Sequence, residues 1–262
     1  MSDELPEILR TVVEVGDETT AVTPARLLLG RAGTSYRTST QLQLRADHAF
    51  ARDALADRVE LDRPPMDELV ARFGLFEVEA RARDLAEHLA RPDLGRRLAP
   101  GTAELLRDRC GPEPDVQIVV GDGLSAPAVL AQVPQVLGPL LDECGARGWR
   151  LGRPFFVRHC RVGVVNDIGD ALGAQNVVLL IGERPGLATV ESLSAYLAHR
   201  PRHGDTDADR NLISNIHRAG VGGEEAVRRI IALLETFMLL GRSGFTVKES
   251  ARATPLPGRS DR

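Results

Sequence analysis

Hydrophobic and polar residues alternate with two different periods along the chain. After Thr38 the pattern predicts an amphipathic helix, one face of which is formed by residues three or four apart: Leu44, His48, Ala51, Leu55 and Val59. The prolines at positions 64 and 65 end it. A second helix is predicted over residues 66–73 and is closed by a glycine. The period then changes to two in residues 76–80 (FEVEA), which favours a half-buried strand. Both element types therefore occur in the first half of the chain.

Strand and helix patterns alternate from residue 115 onwards. Strands are predicted at residues 116–120 (VQIVV), at 176–181 (NVVLLI), and once or twice within 155–164. Ser125 is predicted to cap a long helix that has a proline in its first turn. Further helices are predicted at residues 168–172, 192–199 and 223–240. Alternating elements of this kind indicate an α/β fold with a mainly parallel sheet, flanking helices and a Rossmann-like core.

The same pattern divides the chain into four parts. We expect an acidic flexible tail at residues 1–22, a mostly helical N-terminal region at 23–112, an α/β domain at 113–250 and a flexible C-terminal tail at 251–262. The first 22 residues contain six acids and one arginine, whereas the whole chain has a net charge of −4. The body is thus close to neutral, which argues against a nucleic-acid-binding protein.

Cysteine usage and hydropathy narrow the class of protein further. The three cysteines have no metal-ligand spacing, and their odd number argues against a disulfide framework. The chain contains no apolar run of the length of a membrane span, and its acidic N-terminus lacks the apolar core of a secretory signal. We therefore expect a cytoplasmic protein without a structural metal site.

Two glycine-containing loops follow predicted strands and each carries one carboxylate. They are residues 121–125 (GDGLS), with Asp122, and residues 182–186 (GERPG), with Glu183. Ligands of open α/β sheets bind beyond the carboxyl ends of the strands, and carboxylates accept hydrogen bonds from amide-rich ligands. The alternative is that both segments are ordinary turns between a strand and a helix. No catalytic nucleophile motif and no phosphate-binding glycine loop accompanies them.

Five segments occur in an order that resembles one known family. They are residues 23–33 (TPARLLLGRAG), 47–53 (DHAFARD), 91–98 (RPDLGRRL), 182–187 (GERPGL) and 213–216 (ISNI). Together they resemble the small (light) subunit of ethanolamine ammonia-lyase, over residues from about 23 to 249. The resemblance implies a subunit of an adenosylcobalamin-dependent enzyme that converts ethanolamine to acetaldehyde and ammonia by a radical mechanism.

The resemblance also implies a cofactor site and a partner. Val162, Glu183 and Leu212 occupy the positions through which the family's small subunit is expected to touch adenosylcobalamin. Many relatives carry cysteine where this chain has Leu212, so a thiol-specific role is not expected there. The ethanolamine ammonia-lyase large subunit is the implied partner and is expected to carry the substrate-binding residues, leaving this chain without catalytic residues of its own. Enclosure in a bacterial microcompartment is compatible with this assignment.

Two other functions compete with an obligate enzyme subunit. A non-catalytic cobalamin carrier or loading module would bind the cofactor tightly on its own. The absence of a DxHxxG segment, whose histidine replaces the lower axial base in many cobalamin mutases, makes a carrier less favourable and fits an enzyme that keeps the cofactor's own base. A stand-alone α/β enzyme acting on a nucleotide-like ligand would need a nucleophile or base that the sequence does not offer.

Overall fold

A computed structural model describes residues 31–249 of the chain. The two predicted tails and most of the first family segment, residues 23–30, lie outside the described residues. The helices are α1 (Thr38–Ala56), α2 (Met66–Phe73), α3 (Leu85–Ala90), α4 (Thr102–Cys110), α5 (Ala126–Ala146), α6 (Val164–Leu172) and α7 (Gly223–Leu240). The strands are β1 (Arg31–Ala32), β2 (Ser35–Tyr36), β3 (Phe76–Glu79), β4 (Val116–Gly121), β5 (Phe155–Arg158), β6 (Asn176–Gly182), β7 (Leu193–His199) and β8 (Arg210–Ile216).

Six strands form one mostly parallel sheet in the order β3-β5-β4-β6-β7-β8. The first four pair in parallel, β7 is antiparallel to β6, and β8 is antiparallel to β7. Strand β8 therefore runs in the same direction as β6, and β7 alone is reversed. Because β3 comes from the mostly helical N-terminal region, this region contributes an edge strand to the sheet. The mixed α/β class with a mostly parallel sheet is confirmed.

Helices cover the sheet from both sides. Alternate residues of β4 point to opposite faces, so Ile118 packs in the cluster that contains α5 and α7, whereas Val119 packs in the cluster that contains α4 and α6. Helix α7 contacts β7 and β8, while α6 contacts β6. The outer strands β7 and β8 are thus covered on the α7 side. On the α6 side they border the cavities described below.

Several predicted helix boundaries are confirmed by the local chemistry. Helix α2 ends at Gly74, which adopts a left-handed φ of 67°. Ser125 caps α5, because its hydroxyl accepts a hydrogen bond from the Ala128 N–H at 3.2 Å. Helix α1 ends at Ala56, before the two prolines, and only Ala51 and Ala54 on it are buried. Most of α1 is therefore exposed in the isolated chain.

The predicted helix over residues 192–199 is wrong, because this segment forms strand β7. Its apolar residues fit either the helical period or the strand period, and leucine and alanine favour helix in isolation. Pairing with β6 on one side and β8 on the other places Leu193, Ala195 and Leu197 in the core at zero exposure. Tertiary pairing therefore overrides the local preference of a short apolar segment.

No helix within residues 31–249 is long and apolar enough to cross a membrane. The same residues contain no group of three or more histidine, cysteine or acidic side chains that could hold a metal ion.

Candidate functional site

The two glycine-containing loops meet at the carboxyl edge of the sheet, where β4 and β6 end side by side. Gly123 has a φ of 59°, and a Cβ atom there would lie 2.2 Å from the carbonyl oxygen of Gly182. A Cβ at Gly182 would in turn lie 2.3 Å from the Ser125 carbonyl oxygen. Only glycine permits this approach at both positions. The backbone N–H of Leu124 donates to the Gly182 carbonyl at 3.1 Å and joins the two loops.

A cavity of about 390 Å³ opens beside these joined loops. Strands β7 and β8 form its floor through Ser194, Tyr196, Leu212 and Ser214, and the loops form its sides. A second cavity of about 360 Å³ adjoins it and shares Arg161, Val162, Tyr196 and Leu212. Because four residues border both, we treat the two cavities as one trough. The trough is the open ligand-sized surface at this end of the described sheet.

All three residues implied by the family resemblance line the first cavity of the trough. Glu183 lies at the end of β6, and Leu212 lies on the edge strand β8 directly opposite Tyr196. The strand pattern predicted within residues 155–164 includes Val162, and for Val162 that prediction is wrong. Strand β5 ends at Arg158, and Val162 lies in the turn that precedes α6. The turn nevertheless brings Val162 to the wall of the trough.

Glu183 is held by three hydrogen bonds from its own chain. Its Oε1 accepts from the Ser194 hydroxyl at 2.6 Å and from the Asn215 N–H at 3.0 Å, and its Oε2 accepts from the Ser192 hydroxyl at 2.9 Å. A carboxylate offers about four acceptor positions. These bonds therefore fix the carboxylate at the trough wall and leave one acceptor position, on Oε2, for a ligand.

Leu212 and Val162 give the trough its apolar character. Leu212 keeps 44% of its surface exposed, although it belongs to a strand, and Val162 is half-buried. Tyr196 lines the same two cavities and is half-buried as well. Burial, together with the nearby Asp207 and Glu183 carboxylates, raises the pKa of the Tyr196 hydroxyl. This side chain therefore remains a neutral hydrogen-bond donor.

A different arrangement, which we call the closed corner, lies where β4 and β5 end. The Asp122 carboxylate accepts hydrogen bonds from the backbone N–H groups of His159, at 2.7 Å, and Cys160, at 3.0 Å. The fully buried His88 ring lies 2.9 Å from the His159 carbonyl and 2.6 Å from the Gly123 carbonyl. The cavity at this corner measures about 20 Å³, close to the size of one water molecule.

The closed corner is therefore structural. Desolvation raises the pKa of Asp122, and burial lowers the pKa of His88. Its neighbour Cys160 is completely buried, and burial likewise raises the pKa of its thiol. Among the other cysteines, burial raises the pKa of both Cys110 and Cys144 to about 12, so these thiols are poor nucleophiles.

The sequence did not single out four side chains that border the trough. Tyr196 and three arginines, Arg96, Arg161 and Arg184, belong to this group. Two of these arginines lie in segments that carry the family resemblance, Arg96 in 91–98 and Arg184 in 182–187. The spacing of residues in the sequence assigned no role to either of them. Their convergence depends on contacts between segments that are distant from one another along the chain.

Comparison with known proteins identifies the family of this chain. The family model described as "Ethanolamine ammonia-lyase light chain (EutC)" matches residues 14–248. The ethanolamine ammonia-lyase small subunit of Clostridium perfringens is 42% identical over 231 residues, which cover 88% of this chain and 76% of that protein. The small subunit of Clostridium acetobutylicum is 38% identical over 231 residues, covering 88% and 93%. The small subunit of Fusobacterium nucleatum is 38% identical over 256 residues, covering 95% and 85%.

A match of this extent spans both the N-terminal helical region and the sheet, including every residue of the trough named above. The chain belongs to the ethanolamine ammonia-lyase light-chain family, whose members are subunits of a carbon–nitrogen lyase.

Proposed function

We propose that this chain is the small subunit of an adenosylcobalamin-dependent ethanolamine ammonia-lyase and that it helps to hold the cofactor against the large subunit. The observation that carries the proposal is the convergence of Val162, Glu183 and Leu212 on one open cavity. These residues come from three separate elements, and they are the three that the family resemblance implies as cofactor contacts. Family membership supports the enzyme, and the trough supports the cofactor role.

The chemistry of the trough fits a corrinoid. The periphery of adenosylcobalamin carries many amide N–H donors, and the open acceptor position of Glu183 suits one of them. The corrin ring presents apolar surface, which suits the exposed side chain of Leu212 and the half-buried Val162. The Tyr196 hydroxyl makes no hydrogen bond within the described residues, so it remains available as a donor.

Adenosylcobalamin, when bound, supplies the radical chemistry of the reaction. The residues of this chain bind and orient rather than react. Glu183 would accept a hydrogen bond from the cofactor at a fixed position, and Leu212 and Val162 would offer it apolar surface. No cysteine or histidine among the described residues lines the two cavities of the trough, and Asp122, which stood beside Glu183 as a candidate from the sequence, is bound by the backbone N–H groups of His159 and Cys160.

A small subunit implies a large-subunit partner, and the trough has the form expected of a shared site. Adenosylcobalamin is larger than either cavity, so much of it would remain uncovered by this chain. The large subunit is then the surface that closes over the cofactor and supplies the substrate-binding residues. We place the reaction at that boundary.

The proposal is tested by measuring acetaldehyde release from ethanolamine with adenosylcobalamin and the large subunit, with and without this chain. Activity is expected only when both chains are present. Equilibrium dialysis of the same mixtures should show that the cofactor is retained by the pair and not by this chain alone. Tight retention by this chain alone would favour a carrier instead. If the chain changes neither activity nor retention, the proposed function is wrong.

A further inference from the structure

The RPDLGRR segment, which the proposed function does not use, packs directly on the wall of the trough. Its central turn spans Leu94–Arg96. A Cβ atom at Gly95 would lie 2.8 Å from both the Cγ of Arg161 and the carbonyl oxygen of His159. The Gly95 carbonyl also accepts a hydrogen bond from the Arg161 N–H at 2.7 Å. Glycine at this position therefore fixes the turn against the residues that precede α6.

This contact fixes Arg96 beside the trough. A Cβ at Gly163 would lie 3.0 Å from the Cβ and the Cγ of Arg96, so the stem of Arg96 crosses the backbone at Gly163. The segment's other arginines have acidic partners: Arg91 binds Asp93 at 2.7 Å, and Arg97 lies 3.1 Å from an Asp167 oxygen. Within residues 31–249, the Arg96 side chain has no hydrogen-bond or ion-pair partner.

The second cavity of the trough contains more positive than negative charge. It is lined by Arg96, Arg161 and Arg210, together with a single carboxylate, Asp207. Asp207 is paired with Arg210, which also donates to Asn166 Oδ1 at 2.9 Å. Two guanidinium groups thus remain without a carboxylate.

Arg161 is the better fixed of these two groups. Its Nη2 donates to the His88 carbonyl at 2.8 Å, and its Nε is buried without a partner among the described residues. Burial lowers the pKa of Arg161, and the neighbouring cations Arg184 and Arg96 act in the same direction, while the Asp122 carboxylate acts against them. Helix α6 begins two residues beyond Val162, and its partial positive charge adds to the same field.

We infer that the second cavity, with Arg96 as its free cation and Arg161 behind it, binds a phosphate-type anion, namely the phosphodiester of the bound cofactor. This inference rests on the proposed function, because it assigns one part of the same ligand to a neighbouring part of the same trough. Paired guanidinium groups recognise phosphate oxygens through charge-assisted hydrogen bonds, which are among the strongest that proteins make.

The test compares three corrinoids on the assembled two-subunit enzyme by equilibrium dialysis. Adenosylcobalamin carries the phosphodiester, adenosylcobinamide phosphate carries a phosphate, and adenosylcobinamide carries neither. Arg96→Gln should weaken binding of the first two by roughly 10-fold and leave the third within about twofold. Arg96→Lys, which keeps the charge, should recover part of the loss. Arg242→Gln removes an exposed arginine that lines neither cavity and should leave all three affinities unchanged.

Each outcome separates this inference from the proposed function. An equal effect of Arg96→Gln on all three corrinoids, or no effect on any, overturns the anion site while the cofactor role stands. Inorganic phosphate that binds wild type but not Arg96→Gln, with adenosylcobalamin affinity unchanged, shows a site for free phosphate and also overturns the inference. If no corrinoid binds the assembled wild-type enzyme, the proposed function fails first and the inference falls with it.

Discussion

Two loops at the carboxyl edge of the sheet have the same key residues, glycines and a single carboxylate, but the surroundings of the two carboxylates differ. The loop after β4 directs Asp122 toward two backbone N–H groups, beside a cavity of about 20 Å³. The loop after β6 holds Glu183 at the wall of an open cavity of about 390 Å³.

The difference arises from what lies opposite each carboxylate. Asp122 faces the turn after β5, whose N–H groups at His159 and Cys160 have no partner in the sheet, and the buried His88 closes the corner. Glu183 faces the outer strands β7 and β8, where exposed side chains such as Leu212 remain. A carboxylate at a strand end therefore becomes a candidate site only where the sheet beside it is left uncovered.

The largest expected effect is the loss of stability on removing the Asp122 carboxylate. Asp122→Ala leaves two backbone donors unpaired in the closed corner and should lower the free energy of unfolding by about 3 kcal/mol. Asp122→Asn keeps one acceptor oxygen and should lose less. Urea denaturation of both variants measures the difference. Glu183→Ala serves as the comparison and should cost less, because the open cavity lets water reach the Ser194 hydroxyl and the N–H of the exposed residue Asn215. Equal losses would remove the distinction between the two loops.

The next largest expected effect is a loss of cofactor affinity when Glu183 is replaced. Glu183→Ala should weaken adenosylcobalamin binding to the assembled enzyme by about 1.5–3 kcal/mol, as expected for a desolvated hydrogen bond to a charged acceptor. Glu191→Ala is the matched control, because it removes an exposed acid from the same loop. Equilibrium dialysis of both variants against wild type gives the comparison. Unchanged affinity in Glu183→Ala would remove this residue from the contacts.

The closed corner should also affect how the stability of the protein depends on pH. Desolvation raises the pKa of Asp122 above its ordinary value of about 3.9. The folded state then binds a proton more tightly than the unfolded state, so stability should fall as the pH rises from about 4 through the folded pKa. Asp122→Asn does not titrate and should lose this part of the slope. Parallel stability–pH curves would show that Asp122 ionises as it does in water.

Sequence patterns correctly predicted those elements that are determined by residues close together in the chain. The bounds of α2, the cap at Ser125 and the buried strand β6 all follow from residues within one turn or one strand. The segment 192–199 was predicted wrongly, because its identity depends on two neighbouring strands rather than on its own period. A short apolar segment of this kind takes its conformation from its partners.

Prediction of the site from the sequence is limited in the same way. Composition and spacing rated Asp122 and Glu183 alike, because the N–H groups that bind Asp122 lie 37 and 38 residues further along the chain. The family resemblance, rather than spacing, supplied Val162, Glu183 and Leu212. Neither source assigned a role to Arg96, whose position follows from the contact of its turn with Gly163. Side chains that meet only in the folded chain leave no local signal.

The smallest expected effect on affinity is that of Leu212→Cys. The same variant also tests directly whether the trough is open to solvent. Leu212→Cys keeps an apolar side chain of smaller volume and should change adenosylcobalamin affinity by less than about threefold, since only apolar contact is lost. The same substitution places a thiol in the trough, where Leu212 is 44% exposed, whereas the three native cysteines are buried.

Maleimide treatment of the assembled enzyme at neutral pH, followed by mass spectrometry of this chain, should add one label to Leu212→Cys and none to wild type. Prior addition of adenosylcobalamin should block the label, because the cofactor would cover the new thiol. Labelling of Cys160 in the wild-type chain would show that the closed corner opens, and it would contradict the contrast between the two loops. Labelling at position 212 that the cofactor does not slow would place the cofactor outside the trough.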